Sequence, residues 1–481
     1  MDGLDWDTLG HLSERALMPC LAGLISGGTW APVGFPPPRI PETDWTTVAT
    51  GALPDVHGVL HAVARTADGL FLRPHTAGHL GAAGLWTVTD RAGCVGAVIG
   101  WPATHGLALT HGVVVDTSVE QGAGQGADGW PLDPASVRPA AQLDAVRGLR
   151  LHPAELRPED IEFFLAPVAD VADWTLRHDF AHSLAACVSA QALATHALDA
   201  FGAGFLMLRL PWLADVARIL GRCADHAGHA VALGRCHQFL DLLVARLPGL
   251  AGPMAATCIV STGGRSAPGA ARTPASAGSG IDGFVVFHGP TFASDAVIGA
   301  VGAQDIAPTF ASALGFDDAW MRDGTRASDG MVIVEAFASD DAKSPDTRSR
   351  ASQPVPAPLA VVRTPARPAL DLAYFASESV PLPDFGTVVA AARSVEAGTL
   401  LGLAEARLHG RGAAAALPVL DDLLDRFPDD LPGRVLLAEV LLRLRDLERL
   451  DAVLASLPGL RQPGPWRDLA DGLVAFARGH W

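Results

Sequence analysis

Apolar residues recur along this chain in two distinct periods. Trp6–Ile25 carries Leu9, Leu12, Leu17, Leu21 and Leu24 at helical spacing, with Pro19 placed to start or kink the helix. Val95–Gly100, Val113–Val115, Phe205–Leu210, Ala256–Ser261 and Phe284–Phe287 are instead short apolar runs bounded by turn residues. They predict buried strands. Helical patterns fill the intervals at Gly84–Ala92, Trp174–Ala200, Leu213–Leu247 and Gln304–Leu314. Leu156–Asp160 opens a further helix with acidic residues in its first turn, where the helix dipole favours them. Val59–Ala64 and Leu70–Leu72 predict short strands in a loop-rich region. Strands alternating with helices imply an α/β fold with a largely parallel sheet.

The pattern changes near the C-terminus. Ser339–Pro368 is biased to Pro, Ser and Ala and reads as a linker, giving boundaries at 1–337, 338–370 and 371–481. Beyond Leu370 the chain is Leu/Ala-rich and helical. Leu403-Ala404-Glu405-Ala406 recurs as Leu437-Ala438-Glu439-Val440, an offset of 437 − 403 = 34. Phe427-Pro428 and Leu457-Pro458 close successive units, and a third starts near Leu469. That period is the tetratricopeptide spacing, so an all-α helical-repeat domain is expected. Stacked helix pairs present a concave surface suited to a protein or peptide partner.

Composition narrows the classes of function. The 481 residues include 35 basic and 52 acidic side chains, a formal net charge of −17. That balance argues against nucleic acid and anionic membranes, which need basic patches. Six cysteines are scattered without a CxxC pair, so they read as buried apolar residues, not as a disulfide framework or zinc site. No signal peptide and no uninterrupted run of eighteen apolar residues is visible, which points to a cytoplasmic protein. The Gly-rich Gly122–Gly129 lacks the GK[ST] ending of a phosphate loop. Gly264–Gly280 reads as a mobile loop.

Candidate chemistry gathers in Phe35–Leu60, FPPPRIPETDWTTVATGALPDVHGVL. Trp45–Ala49 could begin a helix whose N-terminal amides, with Thr46 and Thr47, bind phosphate while a hydroxyl attacks phosphorus. The competing reading is a capped helix whose threonines satisfy only backbone groups. Asp225 and His229 form a D-xxx-H pattern that shares one helix face, suited to one metal ion or simply to solvent. His178, Asp179 and His182 sit on one helix, and His105 and His111 flank a strand-end loop; each reads as a polar face or a loop histidine.

Several segments resemble the type I phosphodiesterase/nucleotide pyrophosphatase branch of the alkaline phosphatase superfamily. They are Asp2-Gly3, Leu17–Ile25, Trp45…Thr50-Gly51 with Pro54…His57-Gly58, and Leu85-Trp86. Gly100–Thr104, Leu151–Leu156, Gly283–Pro290 and Asp305–Thr309 with Leu314-Gly315 extend the likeness. The resemblance implies an alkaline-phosphatase-like sheet flanked by helices. It also implies phosphoester hydrolysis by a Thr or Ser nucleophile beside two zinc-like metals held by Asp and His.

Carried over residue by residue, Asp2 matches the first metal ligand, but the apolar strand expected ahead of it is missing. The nucleophile position is Pro41; Thr43 is a shifted candidate. The SDHG motif is Ser261-Thr262-Gly263-Gly264, so Thr262 and Gly263 stand where two ligands belong. Ser279 and Gly280 occupy the region of the last histidine. The family D-xxx-H should follow Phe205–Leu210 directly, where Pro211-Trp212-Leu213 stands. The expectation is therefore a degenerate member without cofactor, acting as an interaction or scaffold module through its helical repeats. The alternative is an active, divalent-metal phosphoester hydrolase with a site rebuilt from Asp2, Thr43, Asp225 and His229; a third reading is a binding module that keeps the phosphate pocket without turnover, using Thr46, Thr47 and the helix start.

Overall fold

The computed structural model describes residues 1–4, 6, 9, 10, 12, 17–65, 72–120, 132–168, 174–221, 226–263, 281–316, 329–338 and 385–457. The α/β alternation resolves there into mixed sheets. Strands β1 (Thr29–Gly34), β2 (Ala64–Arg65), β3 (Leu72–Arg73), β4 (Gly96–Ile99), β5 (Gly112–Val115) and β6 (Val137–Arg138) come first. β7 (Phe205–Leu208), β8 (Thr257–Ser261), β9 (Ile281–His288), β10 (Ala296–Val297) and β11 (Val301–Gly302) follow. One sheet has the order β10-β1-β9-β8, with β11 also on β1; the other has the order β6-β5-β4-β7.

The expected largely parallel sheet is corrected here. β4 pairs in parallel with β5 and β7, but β9 runs antiparallel to both β1 and β8. β1 itself escaped the sequence reading because TWAPVG carries a proline and a terminal glycine, which read as turn residues. On its outer edge β1 pairs with β10 at Thr29 and Trp30 and with β11 at Val33 and Gly34. Pro32 falls in the gap between those two ladders, where no N–H is required.

By internal contacts the chain divides into two units. The first, Met1–Phe35, Val48–Gly51 and Thr76–Val380, holds both large sheets. β4 and β5 are buried at every position, as their unbroken apolar runs require. On one side Ala97, Ile99, Val113 and Val115 pack with Leu193, Ala194 and Ala197 of the Trp174–Asp199 helix. A larger core joins Phe164, Phe180, Trp212, Ile219 and Leu240 to Ile259 of β8 and Phe284 and Val286 of β9. The expected Leu213–Leu247 helix is two helices, Trp212–Leu220 and His226–Ala251.

The second unit gathers Pro36–Thr47 and Ala52–His75 with Pro381–Trp481. Its described helices are Phe385–Arg411, Ala413–Arg426, Leu431–Leu444 and Leu447–Ser456. Their core is Ala404, Ala416, Leu420, Leu423, Leu437, Val440, Leu441 and Leu450. The second helices of the two pairs begin at Ala413 and Leu447, again 447 − 413 = 34 apart. The Phe385–Arg411 helix lies against the Leu53–His61 segment. A Cβ at Gly402 would meet the Leu60 carbonyl oxygen at 2.8 Å, and Arg411 pairs with Asp55 at 3.1 Å. The expected strand at Val59–Ala64 shrinks to β2, paired with β3, because residues 61–63 bend instead of extending.

The 339–368 linker, the Gly122–Gly129 and Gly264–Gly280 loops, Ser279, Asp225 and the Leu469 repeat start lie outside the described residues. Among the described residues, no helix is long and apolar enough to cross a membrane.

Candidate functional site

Asp2 has no strand of its own, yet its backbone is held between two strand ends. The Met1 amine donates to the Val260 carbonyl (2.7 Å), and Thr262 N–H donates to the Met1 carbonyl (3.4 Å). That is the hydrogen-bond pattern of a parallel pair opposite Ser261. Asp2 N–H donates to the Leu210 carbonyl just beyond β7 (3.1 Å). The Asp2 side chain is thereby fixed at the C-terminal ends of β7 and β8, buried to 4% exposure.

Its carboxylate is taken up by the protein itself. Arg209 approaches Oδ2 through both Nε and Nη2 at 2.8 Å, and Thr262 Oγ1 donates to Oδ1 at 3.0 Å. A buried carboxylate demands such a partner, and a guanidinium meets it with charge and directed donors together. The next residue, Gly263, stands at φ +84°, where a side chain is disfavoured. Its N–H donates to Ser261 Oγ at 3.1 Å, closing the turn after β8.

The threonine stretch is organised differently. The helix expected to begin at Trp45 begins at Pro41 and runs to Thr50, because proline is pre-set for a first helical position. Thr46 and Thr47 therefore lie mid-helix, away from its N-terminal amides. The Thr46 hydroxyl donates to the Glu42 carbonyl (2.6 Å) and Thr47 to the Thr43 carbonyl (3.0 Å). Such bonds to the preceding turn are the usual recourse of a buried hydroxyl in a helix.

Thr43, Thr47, His57 and Val59 close a circuit. Thr43 Oγ1 donates to the Val59 carbonyl at 2.8 Å, and Val59 N–H donates to His57 Nδ1 at 3.1 Å. The His57 proton must then sit on Nε2, which donates to Thr47 Oγ1 at 3.0 Å. His57 is fully buried; that burial, and to a lesser degree the charge of His75, lowers its pKa to about 3. It is a neutral imidazole at any physiological pH.

Other motif residues also hold the backbone. Asp305 accepts from the N–H groups of Gly302 and Met331, and Thr309 Oγ1 accepts from Ile333 N–H, each at 2.9 Å. His152 Nδ1 accepts from Ala154 N–H at 3.1 Å, while Glu155 accepts from His152 N–H at 2.8 Å. His105 Nδ1 meets the buried Asp116 carboxylate at 2.7 Å, and His111 lies 3.6 Å from Asp90. His229 is in the first turn of the His226–Ala251 helix; with Asp225 outside the described residues, that pair is not placed.

Residues 1–252, more than half of the chain, match the family model for type I phosphodiesterase / nucleotide pyrophosphatase. The chain belongs to this family. No curated protein matches it. Among solved structures it is similar to phosphonoacetate hydrolase from Sinorhizobium meliloti 1021, at 18% identity and a TM-score of 0.33, covering 54% of each chain. It is also similar to a phosphonate monoester hydrolase from Silicibacter pomeroyi, at 14% identity and a TM-score of 0.36. That match covers 69% of this chain and 74% of the other. The chain thus spans about half the length of the first of these relatives.

Members of the type I phosphodiesterase family are typically zinc-dependent hydrolases. The described residues do not fit a paired-metal centre. Asp2 faces a guanidinium, whose charge opposes a divalent ion at the same oxygens, and Thr262 and Gly263 offer neither carboxylate nor imidazole. Among the described residues, no group of three or more His, Cys, Asp or Glu side chains converges to hold an ion. Sequence reasoning missed Arg209 as the partner of Asp2. The available signal was an arginine directly after an apolar strand and two residues before Pro211.

Proposed function

We propose that this chain is a non-hydrolytic member of the type I phosphodiesterase family. Its phosphatase-like domain, 1–337, is joined through 338–370 to a tetratricopeptide-like domain, 371–481, that binds a protein or peptide partner. The observation that carries the proposal is the Arg209–Asp2–Thr262 arrangement. An aspartate at the ends of β7 and β8, where the family resemblance expects a metal ligand, is neutralised by an internal cation instead. Thr43, the shifted nucleophile candidate, supports it too, since its hydroxyl already donates to a main-chain carbonyl. On the partner side, Leu431 and Val435 lie one turn apart on a single helix, 47% and 54% exposed. They supply an apolar contact of the kind partner surfaces use.

The test is turnover. Purified full-length protein is assayed against phosphomonoesters, phosphodiesters and phosphonate esters with zinc, manganese, magnesium and calcium. The proposal expects no metal-dependent hydrolysis above that of the metal alone. Turnover that is abolished by Thr43→Ala or Asp2→Asn overturns it. Metal content by itself decides nothing here, because an ion can bind away from Asp2.

A further inference from the structure

Two imidazoles converge on one face of the Trp174–Asp199 helix. His178 and His182 are 182 − 178 = 4 residues apart and so lie one turn above the other. Their Nε2 atoms approach to 3.1 Å and their ring centroids to 4.3 Å. His178 Nδ1 lies 3.5 Å from the Asp179 carboxylate, and the Trp174 indole stacks on the His178 ring with centroids 4.7 Å apart. The His178 side chain is 29% exposed, so the pair opens to solvent.

We propose that His178 and His182 bind a late first-row divalent transition metal, Cu²⁺ most tightly, with water in the remaining coordination positions. Imidazole nitrogens bind such ions at about 2.0–2.1 Å. For angles between square-planar and tetrahedral, two nitrogens on one ion then lie about 2.8–3.4 Å apart. The observed 3.1 Å falls within that interval. The same distance also accommodates one shared proton between the two rings; metal binding releases that proton to solvent and directs both lone pairs at the ion. Asp179 occupies the place of the carboxylate that commonly orients a metal-bound histidine through its other ring nitrogen. With two neutral nitrogens and no thiolate, the order of affinities places copper above nickel and zinc.

The inference is independent of the hydrolytic question and is tested on the whole chain. Cu²⁺ is titrated into the protein against a chromophoric chelator, and the bound ion is examined by electron paramagnetic resonance. The expected result is one equivalent of copper carrying hyperfine coupling from two imidazole nitrogens. Losing an orienting partner alone costs metal sites about 10–100-fold in affinity, so His178→Ala and His182→Ala should each cost at least about tenfold. His178→Gln and His182→Gln, which preserve a polar helix face, stand in if an alanine variant fails to fold. Unchanged copper affinity in the double variant, or a spectrum without two-nitrogen coupling, overturns the proposal.

Discussion

Asp2 and the threonine helix are the two places where the family resemblance puts chemistry, and here the polar groups of each are occupied by different means. At Asp2 a formal charge remains and is opposed by a second charge, Arg209, in a buried setting. At Thr43 and Thr47 no charge is present, and each hydroxyl is absorbed into a circuit that runs through His57 back to the helix. The first arrangement is stable only as a pair. The second shares its cost over four hydrogen bonds, so losing one member leaves the others largely in place.

That contrast predicts a ranking of effects. The largest is expected at the ion pair. Arg209→Ala leaves a buried carboxylate without its cation and should cost about 3–5 kcal/mol in urea unfolding, with Asp2→Asn in the same chain recovering part of the loss. Additive costs for the two substitutions would show that the pair is not coupled and remove the contrast.

Next comes acid. His57 titrates near 6.5 when unfolded and near 3 when folded, so between those values the unfolded chain binds a proton that the folded chain refuses. Stability should be complete above about pH 6.5 and fall by about 1.4 kcal/mol per pH unit below it, about 2 kcal/mol by pH 5. His182 is lowered to about 4, chiefly by burial and then by His178, and shifts stability in the same direction. The part due to His57 is therefore the slope that disappears in His57→Gln.

Smaller effects belong to the hydroxyls. Thr43→Val should cost about 1 kcal/mol by leaving the Val59 carbonyl without that donor. Thr46→Ala should cost no more than about 1 kcal/mol, because alanine's better helix propensity offsets part of the cost of truncating a fully buried side chain. A Thr46 loss larger than that at Thr43 would reverse the ranking.

Much of this was legible in the chain. The strands β4, β5, β7 and β8 follow from apolar runs, and the signal is plainest for β4 and β5, which are buried on both faces. The Leu/Ala-rich composition after Leu370 foresaw C-terminal helices. Long-range complementarity was not legible. Nothing local says that Arg209 will meet a residue 207 positions away, or that Asp241 will accept the N–H groups of Cys20 and Leu21. The start expected at Trp45 failed for a simpler reason: Pro41 enters the sequence reading only as the residue at the nucleophile position, whereas proline there opens the helix.

The interrupted outer edge of β1 has a consequence for solubility. Each strand on that edge, β10 and β11, is two residues long, and the proline between their ladders cannot donate a hydrogen bond. A foreign strand approaching that flank finds no continuous row of donors and acceptors to copy. Short, broken edges of this kind are how sheets resist edge-to-edge aggregation, so Pro32 guards the fold in the test tube as well as fitting within it.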